Sequence, residues 1–298
     1  MTAILDILKC PVCGEGLERR DRCLVCESGH NFDVAKCGYV NMLPPGREKN
    51  SRTGDERDMV RARVDFLSRG YYSDISRRFA ELLSDILPDR DSYVICDMGA
   101  GEGYHTCQIA DNVHGKTGSD VLALGFDASK YAAECASKRS RSLGFMPKSG
   151  IGEVHDSRCA AYFMPGNIFS LPLSDSSVDA AVSMFAPIAA EEAARILGSG
   201  GILAVVASGR DHLIEMRKII YDDVHLSDAV TPIPEGFREI SRHSLTYKVK
   251  IQSTEDIKSL FMMTPFYYKT SERGREALFS RDELEVTVDV NYSFFEVI

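Results

Sequence analysis

The spacing of apolar residues changes along this 298-residue chain and divides it into three parts. Residues 1–43 are rich in cysteine and glycine, which indicates a compact module of short strands and turns. Residues 44–70 begin as a connection rich in proline, glycine and charge, and their second half predicts a helix. Over residues 73–87, apolar side chains recur at helical spacing, which predicts an amphipathic helix lying against a core.

From residue 93 onward, short strands that are apolar on both faces alternate with helices. The predicted strands are 93–97, 121–126, 160–164, 179–185, 201–208, 244–252 and 284–297. The predicted helices are 103–112, 128–139, 189–197, 211–222 and 254–262. This order predicts an α/β domain over residues 71–298, with a doubly wound, seven-stranded, mostly parallel sheet that binds ligands at the carboxyl ends of its strands. Residues 140–159 read as a loop insertion before the third strand.

The composition is that of an ordinary folded protein, with 44% hydrophobic and 27% charged residues. No apolar run approaches the roughly 20 residues that span a bilayer, and no signal peptide is evident, so we expect a cytoplasmic protein with no membrane partner. The net charge is −9, yet residues 1–80 carry a small positive excess. The basic residues concentrated after the first module are Arg47, Lys49, Arg52, Arg57, Arg61 and Arg63. This cluster of basic residues could bind phosphates, although a solvated helix face and a polar linker would show the same pattern.

Three glycines follow the first predicted strand of the sheet in VICDMGAGEGYHT and precede a helix. Gly99, Gly101 and Gly103 allow a tight turn and a close approach of the backbone to a ligand. A dinucleotide is disfavoured because Asp97 and Glu102 would face its pyrophosphate. S-adenosylmethionine carries a sulfonium and an ammonium and no phosphate, so the same carboxylates would attract it. The alternative is that these glycines form a tight turn and nothing more.

Two polar residues at the ends of the next strands extend the predicted cofactor site. Asp127 ends the second strand, where a carboxylate can accept hydrogen bonds from both ribose hydroxyls. Asn167 follows the third strand, where a polar side chain commonly meets the edge of adenine. The fourth strand leads into SMFAP (183–187), which we expect at the reaction centre. Asp127 would serve a nicotinamide cofactor equally well, so it indicates a nucleoside without choosing between the two cofactors.

Four cysteines and a histidine are concentrated in CPVCGEGLERRDRCLVCESGH. The spacing fits a closed tetrahedral zinc site with either of two ligand sets, one with three cysteines and His30 and one with two C-x2-C pairs. A redox C-x2-C motif is the alternative, but such a motif normally stands alone at the start of a helix. Clustered cysteines in a reducing compartment favour a metal, and a closed site favours a structural one. The remaining cysteines are expected to be ordinary small residues.

The sequence resembles a known family, the large-subunit rRNA guanine-N1 methyltransferases of the RlmA type. The resemblance extends over nearly the whole chain and rests on stretches such as CPVC…CESGHNFDVAKCGYVNMLP, GDERDMVRARVDFLSRGYY, CDMGAGEGYHT and MTPFYYK. It implies a zinc module over residues 1–43 that recognises an rRNA hairpin and a class I methyltransferase domain over 71–298. These would be joined by the linker and helix 44–70 in a protein that acts as a homodimer. The additional Cys23 and the 140–159 insertion depart from the family pattern.

The resemblance also implies particular site residues. It favours Cys10, Cys13, Cys26 and His30 as zinc ligands and leaves Cys23 as a spare. It implies that Tyr72, Gly101, Glu102 and His212 contact S-adenosylmethionine. The expected reaction is methyl transfer to N1 of a guanine in 23S rRNA, for which Phe185 and Phe266 are candidates to stack on the base and no general base is identified. The alternatives are a methyltransferase acting on a small molecule or protein, and a non-catalytic RNA-binding protein.

Overall fold

The computed structural model describes residues 3–43, 56–152, 158–224, 226 and 230–298. The helices in the described residues are α1 (Ile4–Ile7), α2 (Arg57–Ser68), α3 (Ser73–Ile86), α4 (Tyr104–Thr117), α5 (Lys130–Ser142), α6 (Ala190–Leu197), α7 (Ile214–Ile220), α8 (Thr254–Met262) and α9 (Glu272–Phe279). The strands are β1 (Glu18–Arg20), β2 (Cys23–Val25), β3 (Asn31–Asp33), β4 (Ser92–Met98), β5 (Asp120–Asp127), β6 (Cys159–Pro165), β7 (Ala180–Met184), β8 (Ile202–Ser208), β9 (Phe237–Ile251) and β10 (Leu284–Val297).

A seven-stranded sheet forms the centre of the larger part, in the order β6-β5-β4-β7-β8-β10-β9. The first five of these strands are parallel, and β10 runs antiparallel to both β8 and β9. The prediction of a doubly wound, mostly parallel sheet is therefore confirmed. The chain winds outward from β4 in both directions, so a crevice opens at the carboxyl ends of β4 and β7, where such sheets bind ligands.

Helices cover both faces of the sheet because its central strands are apolar on both sides. Strand β4 is buried from Tyr93 through Met98, and β7 is buried throughout. One face packs against α3, whose apolar residues Ile75, Phe79 and Leu83 are completely buried, as its helical spacing predicts. Burial of this apolar surface stabilises the helix, which would be only marginally stable in isolation.

The N-terminal module contributes to the core on the other face of the sheet. Leu8, Leu24 and Val40 are completely buried and belong to the same hydrophobic cluster as Cys96 and Leu124 of the sheet. Backbone hydrogen bonds join the two parts as well, from Lys9 N to Pro172 O (2.8 Å) and from Met42 N to Pro165 O (2.9 Å). The module consequently shares a hydrophobic core with the sheet domain and is not a separate domain.

The loop that follows α5 fastens the module to the sheet domain. Ile151 N donates to Gly38 O at 3.1 Å, and the Arg19 guanidinium donates to Ser149 O at 3.1 Å. Gly38 and Gly150 touch backbone to backbone, since a Cβ on Gly150 would lie 2.7 Å from the Cα of Gly38. The predicted insertion before the third strand thus has a structural role. Residues 153–157 of this insertion lie outside the described residues.

Several predicted bounds differ from the structure for identifiable reasons. The helix predicted within 44–70 is Arg57–Ser68, and residues 44–55, which include Arg47, Lys49 and Arg52, lie outside the described part. The helix predicted at 211–222 is shorter because Leu213 has φ 55°, a left-handed conformation that a helix cannot include. The strand predicted at 244–252 begins at Phe237, since it pairs with β10 along its whole length. Among the helices described here, none is long and apolar enough to cross a membrane.

Candidate cofactor cleft and metal centre

The glycine loop lies at the carboxyl end of β4 and leads into α4. Gly103 caps α4 with φ 79°, and a Cβ at this position would come within 2.8 Å of both Ala136 and Phe163. Gly99 has φ 104°, and a Cβ there would lie 2.6 Å from Ala186. Both positions therefore require glycine for conformation and for space. The turn brings the backbone to the edge of the crevice, as the sequence predicts.

Asp127 stabilises this loop from the neighbouring strand. Its carboxylate accepts hydrogen bonds from Gly101 N at 2.9 Å and from Ser129 N at 2.8 Å. A carboxylate is the kind of acceptor that a pair of ribose hydroxyls needs. The position at the end of β5, beside the glycine loop, matches the predicted one.

Asp97 is an acidic group inside the crevice that is only partly satisfied. Thr106 Oγ1 donates to its Oδ2 at 2.5 Å, whereas its buried Oδ1 has no hydrogen-bond partner among the described residues. Burial raises the pKa of Asp97 to about 7. A buried carboxylate with an unpaired oxygen is stabilised by a cationic ligand, and this property fits the ammonium and sulfonium of S-adenosylmethionine.

Glu102 is also buried, but the structure pairs it with a cation of the protein. Arg139 on α5 donates two hydrogen bonds to Glu102 Oε2, at 2.7 and 3.1 Å. Burial raises the pKa of Glu102, and the charge of Arg139 opposes this shift. Because Arg139 compensates the charge of Glu102, the electrostatic attraction of the crevice for a cation depends more on Asp97 than the sequence indicates.

Tyr72 and His212 meet at the side of the crevice near β7. The Tyr72 hydroxyl lies 3.5 Å from His212 Nε2, and Asp289 N donates to His212 Nδ1 at 3.2 Å. Burial lowers the pKa of His212 to about 4, so its ring is neutral at physiological pH. Phe185, at the end of β7, stacks on this ring at 6.1 Å and keeps 43% of its surface exposed. Phe266, by contrast, packs edge-on against Tyr221 at 6.0 Å.

Asn167 occupies the turn after β6, and its Oδ1 accepts a hydrogen bond from Phe169 N at 3.2 Å. It lines a groove of about 600 Å³ between the module and the sheet domain, together with Cys10, Val12 and Arg195. The structure therefore places Asn167 beyond β6 as expected and also beside the module.

The four ligand atoms of Cys10, Cys13, Cys26 and His30 lie within 4.8 Å of one another. Cys26 Sγ is 3.6 Å from Cys13 Sγ and 3.2 Å from His30 Nδ1, and Cys10 Sγ is 3.7 Å from the same nitrogen. Zinc–sulfur and zinc–nitrogen bonds of about 2.3 and 2.0 Å in a tetrahedron separate the ligand atoms by roughly 3.5 to 3.8 Å. The donor set and its spacing therefore fit zinc.

Tight turns bring these ligands together. Gly14 N donates to Cys10 O at 2.8 Å and Gly29 N donates to Cys26 O at 3.0 Å, and both glycines have positive φ. Cys23, the remaining candidate, lies outside the cluster, and its Sγ faces the carbonyl of Arg20 at 3.1 Å. The geometry thus assembles the set with three cysteines and one histidine and leaves out the set with two C-x2-C pairs.

Sequence reasoning missed three side chains at the crevice. Arg139 is separated from Glu102 by more than thirty positions along the chain, and no local pattern indicates that the two meet. Arg63 was identified only as one of several basic residues, yet its Nη1 lies 3.4 Å from where a Cβ on Gly101 would be. His105 stands in the first turn of α4, directly after the glycine loop, and that position could have singled it out.

Comparisons with known families agree with this arrangement. A family model described as the N-terminal zinc ribbon of RlmA matches residues 8–52, and a methyltransferase domain model matches residues 96–205. Together with the sheet order and the crevice, these matches define a class I S-adenosylmethionine-dependent methyltransferase with a structural zinc ribbon.

The names of related proteins indicate to which family of class I methyltransferases this chain belongs. The 23S rRNA (guanine(748)-N(1))-methyltransferase of Streptomyces fradiae is 32% identical, and the match covers 72% of this chain and 67% of the relative. Two further relatives bear the name 23S rRNA (guanine-N(1)-)-methyltransferase as a provisional assignment. One, from Micromonospora griseorubida, is 33% identical over 72% of this chain and 69% of the relative, and the other, from Bacillus subtilis, is 26% identical over 97% of both. The chain belongs to the 23S rRNA (guanine-N1)-methyltransferase family.

Proposed function

We propose that this protein transfers a methyl group from S-adenosylmethionine to N1 of a guanine in a hairpin of 23S rRNA. The observation that carries the proposal is the presence, in one chain, of a zinc ribbon that matches the N-terminal model of RlmA and a crevice within a domain that matches a general methyltransferase model. Relatives that are about one-third identical bear names that state the reaction. Action on ribosomal RNA would make the cytoplasm its compartment.

The proposed donor site consists of residues around the ends of β4, β5 and β6. Asp97 would hold the cationic part of the donor, Asp127 the ribose and Asn167 the adenine. The full proposed set is Tyr72, Asp97, Gly99, Gly101, Glu102, Gly103, Asp127, Asn167 and His212. When bound there, S-adenosylmethionine supplies an electrophilic methyl group. The contribution of the protein is to hold the acceptor nitrogen in line with it, and such positioning accounts for much of the rate of similar reactions.

The target base would need to leave its stack to reach the crevice. Phe185 supports this step because it is an exposed ring at the carboxyl end of β7, where the acceptor is expected. N1 of guanine carries a proton, so attack must be accompanied by its loss. The two histidines beside Phe185 are both neutral, since burial lowers the pKa of His105 to about 3 and of His212 to about 4. Neither histidine therefore adds positive charge to the proposed base pocket at physiological pH.

The zinc module, residues 1–43, would recognise the RNA, and residues 44–70 would connect it to the catalytic domain, 71–298. We propose that Cys10, Cys13, Cys26 and His30 bind the structural zinc. In a homodimer, two such modules would bind one RNA hairpin together. The exposed Arg57 and Arg61 at the start of α2 support phosphate binding on this side of the molecule.

The proposal is tested by incubating the purified protein with labelled S-adenosylmethionine and either total RNA or a protein-free extract of small molecules. We expect label in 23S rRNA and its absence when Asp127→Ala removes a contact to both the loop and the ribose. Labelling of the small molecules alone would contradict the proposed substrate. Failure of the wild-type protein to bind the donor in calorimetry would contradict catalysis altogether.

A further inference from the structure

Two apolar residues near the crevice have a backbone conformation that is unfavourable for a residue with a bulky side chain. In the described part of the chain, four residues other than glycine have positive φ, namely Asp21, Ser176, Phe185 and Leu213. The first two are small polar residues in turns, where this conformation is tolerated. Phe185 (φ 54°) and Leu213 (φ 55°) are bulky, so their backbones are strained. Such strain persists where the surrounding structure enforces it, and it is concentrated at functional sites.

Both strained residues lie beside the same pair of rings. Phe185 directly follows β7, and Leu213 directly follows His212 in the segment between β8 and α7. The rings of Phe185 and His212 are 6.1 Å apart, and their planes are inclined by 28°. The two left-handed residues therefore determine where the two members of one stacked pair lie, beyond the carboxyl ends of β7 and β8.

Strand β10 fixes the His212 side of this pair. Leu213 N donates to Thr287 O at 2.7 Å, which holds the left-handed residue against the strand. Asp289 N donates to His212 Nδ1 at 3.2 Å, so this nitrogen carries no proton and the ring is held in one orientation. The face that His212 presents to Phe185 is consequently set by the backbone of β10.

Ser183 fixes the Phe185 side. It is the one polar side chain of β7, and only 1% of its surface is exposed. Its hydroxyl donates across the turn to the carbonyl oxygens of Ala186 at 3.0 Å and Pro187 at 3.3 Å. A buried hydroxyl costs free energy unless it is hydrogen-bonded, so Ser183 favours the turn that brings these carbonyls to it. Phe185 lies between the hydroxyl and its acceptors along the chain, and this turn includes its left-handed conformation.

The rest of the turn leaves Phe185 little freedom. Its N–H donates to Val206 O at 2.9 Å, which extends the pairing of β7 with β8 by one residue. Pro187 has a fixed φ and restricts the conformation of Ala186 before it. A Cβ on Gly99 would lie 2.6 Å from Ala186, so the turn also packs against the glycine loop. The exposed ring of Phe185 is therefore held rigidly beside the proposed methyl donor.

We propose that Ser183 is a positioning residue, which holds Phe185 in its left-handed conformation so that the exposed ring can stack on the target guanine. This inference rests on the proposed function and identifies a group that places the base relative to the donor. A ring that is in place before RNA binds loses little conformational entropy when it stacks, and the strain of the free protein maintains that order. Because Ser183 acts through Phe185, its loss should affect the base and spare the donor site.

The test compares Ser183→Ala with Ser140→Ala in the full-length protein. Ser140 is a matched control, because it is also buried and its hydroxyl also donates to a backbone carbonyl, that of Ala161. Two other positions of β7 are alanine, so the sheet should accept Ser183→Ala. We expect Ser183→Ala to lower kcat/KM for 23S rRNA by roughly ten- to a hundredfold and to change the calorimetric affinity for S-adenosylmethionine by less than about twofold. Ser140→Ala should change both by less than about twofold.

A double-mutant cycle shows whether Ser183 acts through the ring of Phe185. In a protein that already carries Phe185→Ala, the further change Ser183→Ala should lower kcat/KM by less than about twofold, since the ring that it positions is gone. The inference is contradicted if Ser183→Ala leaves kcat/KM unchanged in the wild-type background. It is equally contradicted if this change weakens donor binding as much as it lowers activity, or if its effect is the same without the ring.

The strain itself is measured by two variants that both lack the ring. Glycine adopts the left-handed conformation freely, whereas alanine does not, so Phe185→Gly should melt about 1 to 3 °C above Phe185→Ala. At an unstrained position in a strand or turn, the order would be reversed, because glycine loses more entropy on folding. A lower melting temperature for Phe185→Gly would contradict the inference. A wild-type protein that binds the donor and methylates no RNA would instead contradict the proposed function.

Discussion

At the scale of single residues, the charge in the crevice is set by contacts that the sequence reveals only in part. Asp97 and Asp127 were predictable because each ends a strand, and parallel strands bring their carboxyl ends to one edge. The pairing of Glu102 with Arg139 was not predictable, since it joins the glycine loop to a helix that is distant along the chain. Asp97 is thus the acidic group whose buried oxygen, within the described residues, still lacks a partner.

The affinity for S-adenosylmethionine should weaken as the pH falls through 7. Burial raises the pKa of Asp97 to about 7, so the free protein holds this carboxyl protonated below that pH, whereas the cationic donor favours the ionised form. We expect a five- to tenfold weaker affinity at about pH 6 than at about pH 7.5, measured by calorimetry. The Asp97→Asn variant should bind S-adenosylmethionine weakly at both pH values. A wild-type affinity that is constant over this range would contradict the assigned role.

At the scale of elements, the loop after α5 holds the zinc module against the sheet domain. The sequence predicted the module from its cysteine spacing but treated the insertion as an ordinary loop. Sequence patterns report burial within an element, and they do not indicate that Gly38 and Gly150 of separate segments touch. The same limit explains why the shared core of module and sheet was not expected.

Replacing Gly150 by alanine should cost more stability than replacing Gly144. Both glycines have positive φ, 87° and 80°, so the backbone strain of alanine is similar at the two positions. A Cβ on Gly150 would meet the backbone of Gly38 at 2.7 Å, whereas Gly144 has nothing within 4 Å. We expect Gly150→Ala to lower the free energy of unfolding by about 1 to 3 kcal/mol more, measured by denaturant unfolding. Equal losses would show that this contact does not hold the module.

Cysteine substitutions should separate the zinc ligands from the spare cysteine. Cys26→Ala removes a thiolate from the cluster, so the purified variant should contain little zinc and should melt at a lower temperature. Cys23→Ala, three residues away, should keep about one zinc per chain, because its sulfur lies outside the cluster. The zinc content of the two purified variants, measured by atomic spectroscopy, shows which of the two cysteines is a zinc ligand. Loss of zinc in Cys23→Ala and not in Cys26→Ala would reverse the assignment.

At the scale of the whole molecule, the zinc ribbon and the methyltransferase domain form one continuous core. The sequence was sufficient for the class of fold and the glycine loop, because these follow from local periodicity and from glycine spacing. It was not sufficient for the surfaces that join the two parts. That continuity fixes the orientation of the metal site relative to the crevice, as recognition and methylation of one RNA would require.

The central claim is that the crevice delivers a methyl group to N1 of guanine in 23S rRNA. The most direct measurement is mass spectrometry of nucleosides from unmodified 23S rRNA treated with the purified protein and S-adenosylmethionine. The account predicts about one N1-methylguanosine per molecule of 23S rRNA, formed by the wild type and lost in Asp127→Ala. A methylated nucleoside of another kind, or rRNA left unmodified by a protein that binds the donor, would contradict it.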